Sequence, residues 1–147
     1  MSNTQRESRG MSAWLPWAGG LVVLAAIGFA VVGSGGAQVG DHPEPRPNAA
    51  SLLTDSPRRY AGYPRIYRVY VMAGEIQPTL DGLYCYCRCS QHAGHRSLFT
   101  CFESDHGAAC DVCLNQAALA YQMGKSGATL DEIRQETDRR FGSGRGS

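Results

Sequence analysis

Apolar and polar positions divide the chain into one long apolar run, a stretch without period, and later segments whose apolar residues recur at helical spacing. Ser12 to Gly33, "SAWLPWAGGLVVLAAIGFAVVG", carries no charge over 22 residues, which matches the roughly 20 that a helix needs to cross a ~30 Å hydrocarbon layer. It predicts a transmembrane helix. Residues 34–62 are rich in Gly, Pro, Ser and Asp and sustain no period, the composition of a flexible linker. Beyond Tyr63, Ile66, Val69, Tyr70 and Ala73 follow i, i+3, i+4, i+7 behind Pro64, which predicts a helix although the Val, Ile and Tyr content would suit a strand. A second short turn is expected from Pro78 to Leu83.

The C-terminal third is clearer. Val112, Leu114, Ala117, Ala118 and Tyr121 stand among good helix formers, with Gly124 or Gly127 to end the segment. Thr129 then precedes Leu130, Ile133 and Phe141, with Glu132 three residues on and Gly142 past the end. That is a capping box opening a second helix. The expected architecture is a small all-α domain over residues 63–141, a helical hairpin plus a Cys-rich loop, tethered by one N-terminal transmembrane helix. Residues 142–147 should be a disordered tail.

Arg6 and Arg9 precede the apolar run, and Asp41 and Glu44 are the first acids after it. The positive-inside tendency therefore places residues 1–11 in the cytoplasm and the domain outside, with Trp14 and Trp17 at the headgroup boundary. The alternative is a cleaved secretory signal, with Gly35 and Ala37 as the small residues before the cut, and a secreted domain. A formal net charge of +1 gives no basic surface, so nucleic acid is not an expected partner. The membrane is, through the span.

All six cysteines and three of the four histidines fall between Tyr84 and Cys113. Outside the cytoplasm, such thiols oxidise unless a metal or a reductant protects them. The order is Cys85-x-Cys87-x-Cys89, then His95, Cys101 and His106, and finally Cys110-x-x-Cys113. On a helix, Cys110 and Cys113 would share one face, and a helix N-terminus favours the thiolate, so they read as a ligand pair. In the first group, alternate residues of an extended chain lie about 6.6 Å apart with their sulfurs on one side. A tetrahedral ion with ~2.3 Å bonds needs sulfurs within about 4 Å, so the chain around Tyr86 and Arg88 has to curl. Soft thiolates select copper(I), zinc or iron–sulfur, and bridging sulfur can hold more than one ion.

The candidate metal ligands are thus Cys85, Cys87, Cys89, His95, Cys101, His106, Cys110 and Cys113, with copper(I) or zinc as the cofactor and Arg88 offsetting thiolate charge. His92 ranks below the other two loop histidines, His42 reads as a solvated linker residue, and Met123 as packing. Rival readings stay open at this point. Six cysteines permit fifteen disulfide pairings, which would make the domain a stapled accessory subunit of a membrane complex. A closed zinc site could be purely structural. Cys110-x-x-Cys113 could also exchange disulfides, although the βαβ setting of such motifs is missing. No Ser/His/Asp or paired-carboxylate arrangement is visible, so no catalytic residue is assigned.

"CYCRC", "GHRSLFTCF", "HG", "CDVCL" and "EIR", spread over Leu83 to Phe141, resemble in order and spacing the bacterial family named for its PCYCGC motif. The resemblance implies a small extracytoplasmic protein, often a lipoprotein, of unknown function, with metal binding suspected at the same cysteines. This chain has Tyr84 in place of the family's Pro and Arg88 in place of its Gly, which makes the turn less preorganised. Its anchor is an apolar span and not a lipidated cysteine. The combined expectation is a single-pass protein of the bacterial cytoplasmic membrane whose periplasmic domain binds a metal and carries, buffers or stores it. A metal-receiving protein or a membrane complex would be its partner.

Overall fold

The computed structural model of the protein describes residues 40–142. The expected span Ser12–Gly33, residues 1–11 and the tail beyond Gly142 lie outside the described residues. Among the described residues there is no strand, and no helix is long and apolar enough to cross a membrane.

Helical period prevails over strand composition at Pro64–Ala73 (α1), where Pro64 occupies the first turn and Val69, Tyr70 and Ala73 are buried. A proline at this point costs nothing, because its missing N–H would have no partner inside the helix. Short helices follow at Gln77–Asp81 (α2) and Cys89–His92 (α3), and then 3-10 turns at Phe99–Phe102 and Asp105–Ala109. The expected hairpin is present as Asp111–Lys125 (α4) and Leu130–Phe141 (α5). Its second helix opens on the expected capping box: Thr129 N–H donates to the Glu132 carboxylate at 2.7 Å, and Glu132 N–H donates to the Thr129 hydroxyl at 3.3 Å.

α4 packs against both α1 and α5. Tyr70, Leu80, Leu83, Leu98, Phe99, Phe102, Leu114, Ala117 and Ile133 form one buried cluster, and Cys85, Cys89, Cys101 and Cys113 belong to it. The Tyr70 ring lies 4.4 Å from that of Tyr60 and 5.1 Å, edge-on, from that of Phe102. Each large side chain removed from water contributes about 1.5–3 kcal/mol, and these four sulfurs sit within that buried core. Met123 is partly buried against this core, as expected of a packing residue.

Residues 40–62 are not the solvated linker that their composition predicts. Ala49 and Tyr60 are buried, and 3-10 turns form at Ala49–Ser51 and Pro57–Tyr60. The backbone N–H of Arg46 donates to Asp81 at 2.7 Å, and its guanidinium reaches the same carboxylate at 2.9 Å. Arg134 donates to the carbonyls of Pro43 and Gly82 at 2.9 and 3.1 Å. His42 is also not solvated: its side chain is only 9% exposed, with Nε2 2.7 Å from an Asp138 oxygen and Nδ1 accepting from Tyr84 N–H at 3.0 Å. A segment without period can fold in this way when distant side chains satisfy its polar groups one at a time.

Candidate metal centre

Three devices shape the Cys85–Cys89 strip. Gln116, buried on α4, presents its amide to the backbone on either side of Cys85, accepting from Tyr86 N–H at 3.0 Å and donating to the Tyr84 carbonyl at 3.1 Å. It does for the strip what a neighbouring strand would do. Arg88 N–H closes a turn onto the Cys85 carbonyl at 3.0 Å. Arg88 then adopts φ 62°, ψ 28°, the left-handed conformation that allows α3 to start at Cys89. The curl around Tyr86 and Arg88 brings the Cys85 and Cys87 sulfurs to 3.0 Å and those of Cys87 and Cys89 to 2.7 Å.

Cys101 arrives on the turn Phe99–Phe102, where Phe99 and Phe102 are buried, with its sulfur 3.6 Å from that of Cys85. Cys113, in the first turn of α4, lies 3.4 Å from Cys85 and 3.5 Å from Cys87. The five sulfurs all fall within 4.8 Å of one another. A second group shares two of them: Cys89, Cys101, His95 and His106 also lie within 4.8 Å of one another. His95 Nδ1 is 3.2 Å from Cys101 Sγ, and His106 Nε2 is 3.0 Å from Cys89 Sγ. The next residue, Gly107, permits this approach, because a Cβ there would stand 2.9 Å from the Cys101 carbonyl oxygen.

Cys110 does not join either group. It is the N-cap of α4, in extended conformation at φ −127°, ψ 108°, and the rule that i and i+3 share a face holds only when both residues are helical. Its half-buried side chain packs against the core instead. His92 is exposed, its ring 6.5 Å from that of His106.

All six cysteines are free thiols, and the 2.7 Å contact is longer than the ~2.05 Å of a disulfide bond. Hydrogen bonds from Cys101, Cys113 and Cys85 push the Cys87 thiol well below its usual range. Cys113 is pushed up by its sulfur partners, Cys101 first, and Cys89 mainly by burial. Several thiolates at such burial would need an added cation to offset their charge. Burial, followed by the neighbouring His106, lowers the pKa of His95, which favours the neutral imidazole that ligates metals. A donor set of this kind could hold a metal ion.

A sequence model of the family described as "protein of unknown function with PCYCGC motif" matches residues 51–147. The chain belongs to that family. No curated protein and no solved structure matches it. With the PCYCGC motif laid on Tyr84–Cys89, its proline falls on Tyr84 and its glycine on Arg88. The glycine position is the left-handed one, where a side chain costs about 1–2 kcal/mol. Arg88→Gly is therefore expected to raise the melting temperature by roughly 4 °C or more, for a net gain of about 1 kcal/mol. A melt of the variant at or below the parent's would contradict this. At the proline position, Tyr84 supplies the N–H that His42 accepts, a bond that a PCYCGC proline cannot form.

Other residues of the PCYCGC-like stretch act structurally. Ser97 donates to Asp81 at 2.9 Å, and Arg96 pairs with the same carboxylate at 3.0 Å. In "EIR", Glu132 caps α5, Ile133 fills the core and Arg134 holds residue 43. Sequence reasoning missed Gln116 and Asp81. The available signal for Gln116 was an uncharged polar residue one turn after Cys113 on an otherwise apolar face.

Proposed function

We propose that the domain is a metal–thiolate centre that binds copper(I) or zinc and carries or buffers the ion, in a chain tethered by Ser12–Gly33 with this domain outside the cytoplasm. The observation that carries the reading is the convergence of five sulfurs within 4.8 Å of one another with no disulfide among them. Structural zinc alone would need four ligands. The fifth sulfur and the two histidines exceed that requirement, and Cys87, incompletely buried, gives an incoming ligand a sulfur to attack. Exchange through shared thiolates is how such an ion would pass to a receiving protein.

The test is an anaerobic titration of the full-length chain in detergent, with copper(I) and separately with zinc, each against a competing chelator. Parent and Cys110→Ser should bind alike and melt higher when loaded, by about 2.7 kcal/mol at a hundredfold excess of free ion over Kd. Cys113→Ser should bind at least tenfold more weakly. Equal damage from the two serine variants, or reduced chain that binds neither ion, would sink the proposal.

A further inference from the structure

The five-sulfur group and the mixed group share Cys89 and Cys101. From this overlap we infer that the centre holds two zinc ions linked by a bridging thiolate, an inference that rests on reading the cysteine cluster as a metal site. One ion takes Cys85, Cys87 and Cys113 together with a shared sulfur. The other takes His95, His106, Cys89 and Cys101, the tetrahedral S₂N₂ set that zinc favours.

Donor count and distance converge on this arrangement, and charge is compatible with it. Five sulfurs and two imidazoles are too many for one four-coordinate ion, and seven donors suffice for two such ions that share one thiolate. Both shared cysteines face both ways. Cys89 Sγ lies 2.7 Å from Cys87 Sγ and 3.0 Å from His106 Nε2, and Cys101 Sγ lies 3.6 Å from Cys85 Sγ and 3.2 Å from His95 Nδ1. Tetrahedra with the usual zinc bond lengths have edges of about 3.8 Å between sulfurs and about 3.5 Å between sulfur and nitrogen. The Cys113 contacts at 3.4 and 3.5 Å are close to that spacing, and the tighter pairs would spread by up to about 1 Å around the ions. The five thiols lose their protons to solvent on loading. Two divalent ions then offset four of the five thiolate charges and leave one net negative charge in a largely buried site.

Native mass spectrometry of the full-length chain in detergent, loaded anaerobically with zinc sulfate and freed of excess, reads the stoichiometry directly. The parent should carry two zinc ions, and the double variant His95→Ala/His106→Ala should carry one. Cobalt(II) titration of the unaltered chain makes the test independent of whether that variant folds. Ions bridged by a thiolate couple their spins, so the EPR signal at two equivalents should be less than additive. A parent with one zinc, a second zinc that survives loss of both histidines, or additive cobalt signals would overturn the inference. Chain that loads copper(I) but at most one zinc overturns the two-ion centre and leaves the metal–thiolate reading standing. Chain that binds neither ion overturns both.

Discussion

Asp81→Asn is expected to cost about 3 kcal/mol and to lower the melting temperature by roughly 12–20 °C. Asp81 is fully buried and accepts from Arg46 N–H, the Arg46 guanidinium and the Ser97 hydroxyl, and it pairs with Arg96. Asparagine keeps one acceptor oxygen, places an NH₂ among donors and removes the charge that both arginines face. Arg46 and Arg96 retain 31% and 39% exposure of their side chains, so they can rehydrate, and the estimate stays at the low end of what breaking a buried pair costs. Loss of this anchor should also release residues 42–49, which protease cleavage near Ala49 would detect.

The same carboxylate sets part of the acid stability. Burial alone would raise the Asp81 pKa, but the hydrogen bonds from Arg46 and Ser97 outweigh it and hold the value below the usual 3.8. A depressed folded pKa gives stability that is fully present above the unfolded value, about 3.9, and is lost as pH falls through the folded one. The difference in stability between parent and Asp81→Asn, measured by thermal melts under helix circular dichroism, should therefore be constant from pH 7 to pH 5 and shrink below pH 4. A melting difference under 5 °C at neutral pH, or one that grows in acid, would contradict this role.

Gln116→Leu should produce the second large effect, on both stability and metal affinity. It leaves the Tyr86 N–H and the Tyr84 carbonyl without their side-chain partner, at about 1–3 kcal/mol for each group, and frees the strip that presents Cys85. Because Gln116 orients ligands without being one, metal affinity should fall about 10–100-fold, while Gln116→Glu, which keeps the bond to Tyr86 N–H, should fall less. Unchanged affinity in Gln116→Leu would show that the strip holds its shape unaided.

The hairpin of α4 and α5 was legible in the sequence because its signals are local: helical period, a capping box and a terminal glycine. α1 was legible because period outweighs β-branched content when the buried face is a helix face. Residues 40–62 were not legible, since single polar contacts such as His42 with Asp138 and Arg46 with Asp81 hold them, 96 and 35 positions apart in sequence. No local pattern encodes such pairings, and Gly and Pro read as linker whether or not distant partners exist. Within the site, density of sulfur pointed to Cys85, Cys87, Cys89, Cys101 and Cys113, and the loop position of His95 and His106 placed them beside it. Cys110 looked like a ligand only because spacing alone does not reveal that the helix begins one residue later.

The central claim is that these thiolates hold metal, and metal content of the full-length chain, purified without oxygen or added chelator and paired with a free-thiol count before and after unfolding, tests it most directly. The account predicts at least stoichiometric copper or zinc, with the clustered thiols reacting only after unfolding or metal removal. A folded chain that contains no metal and whose cysteines are joined in disulfides would contradict it.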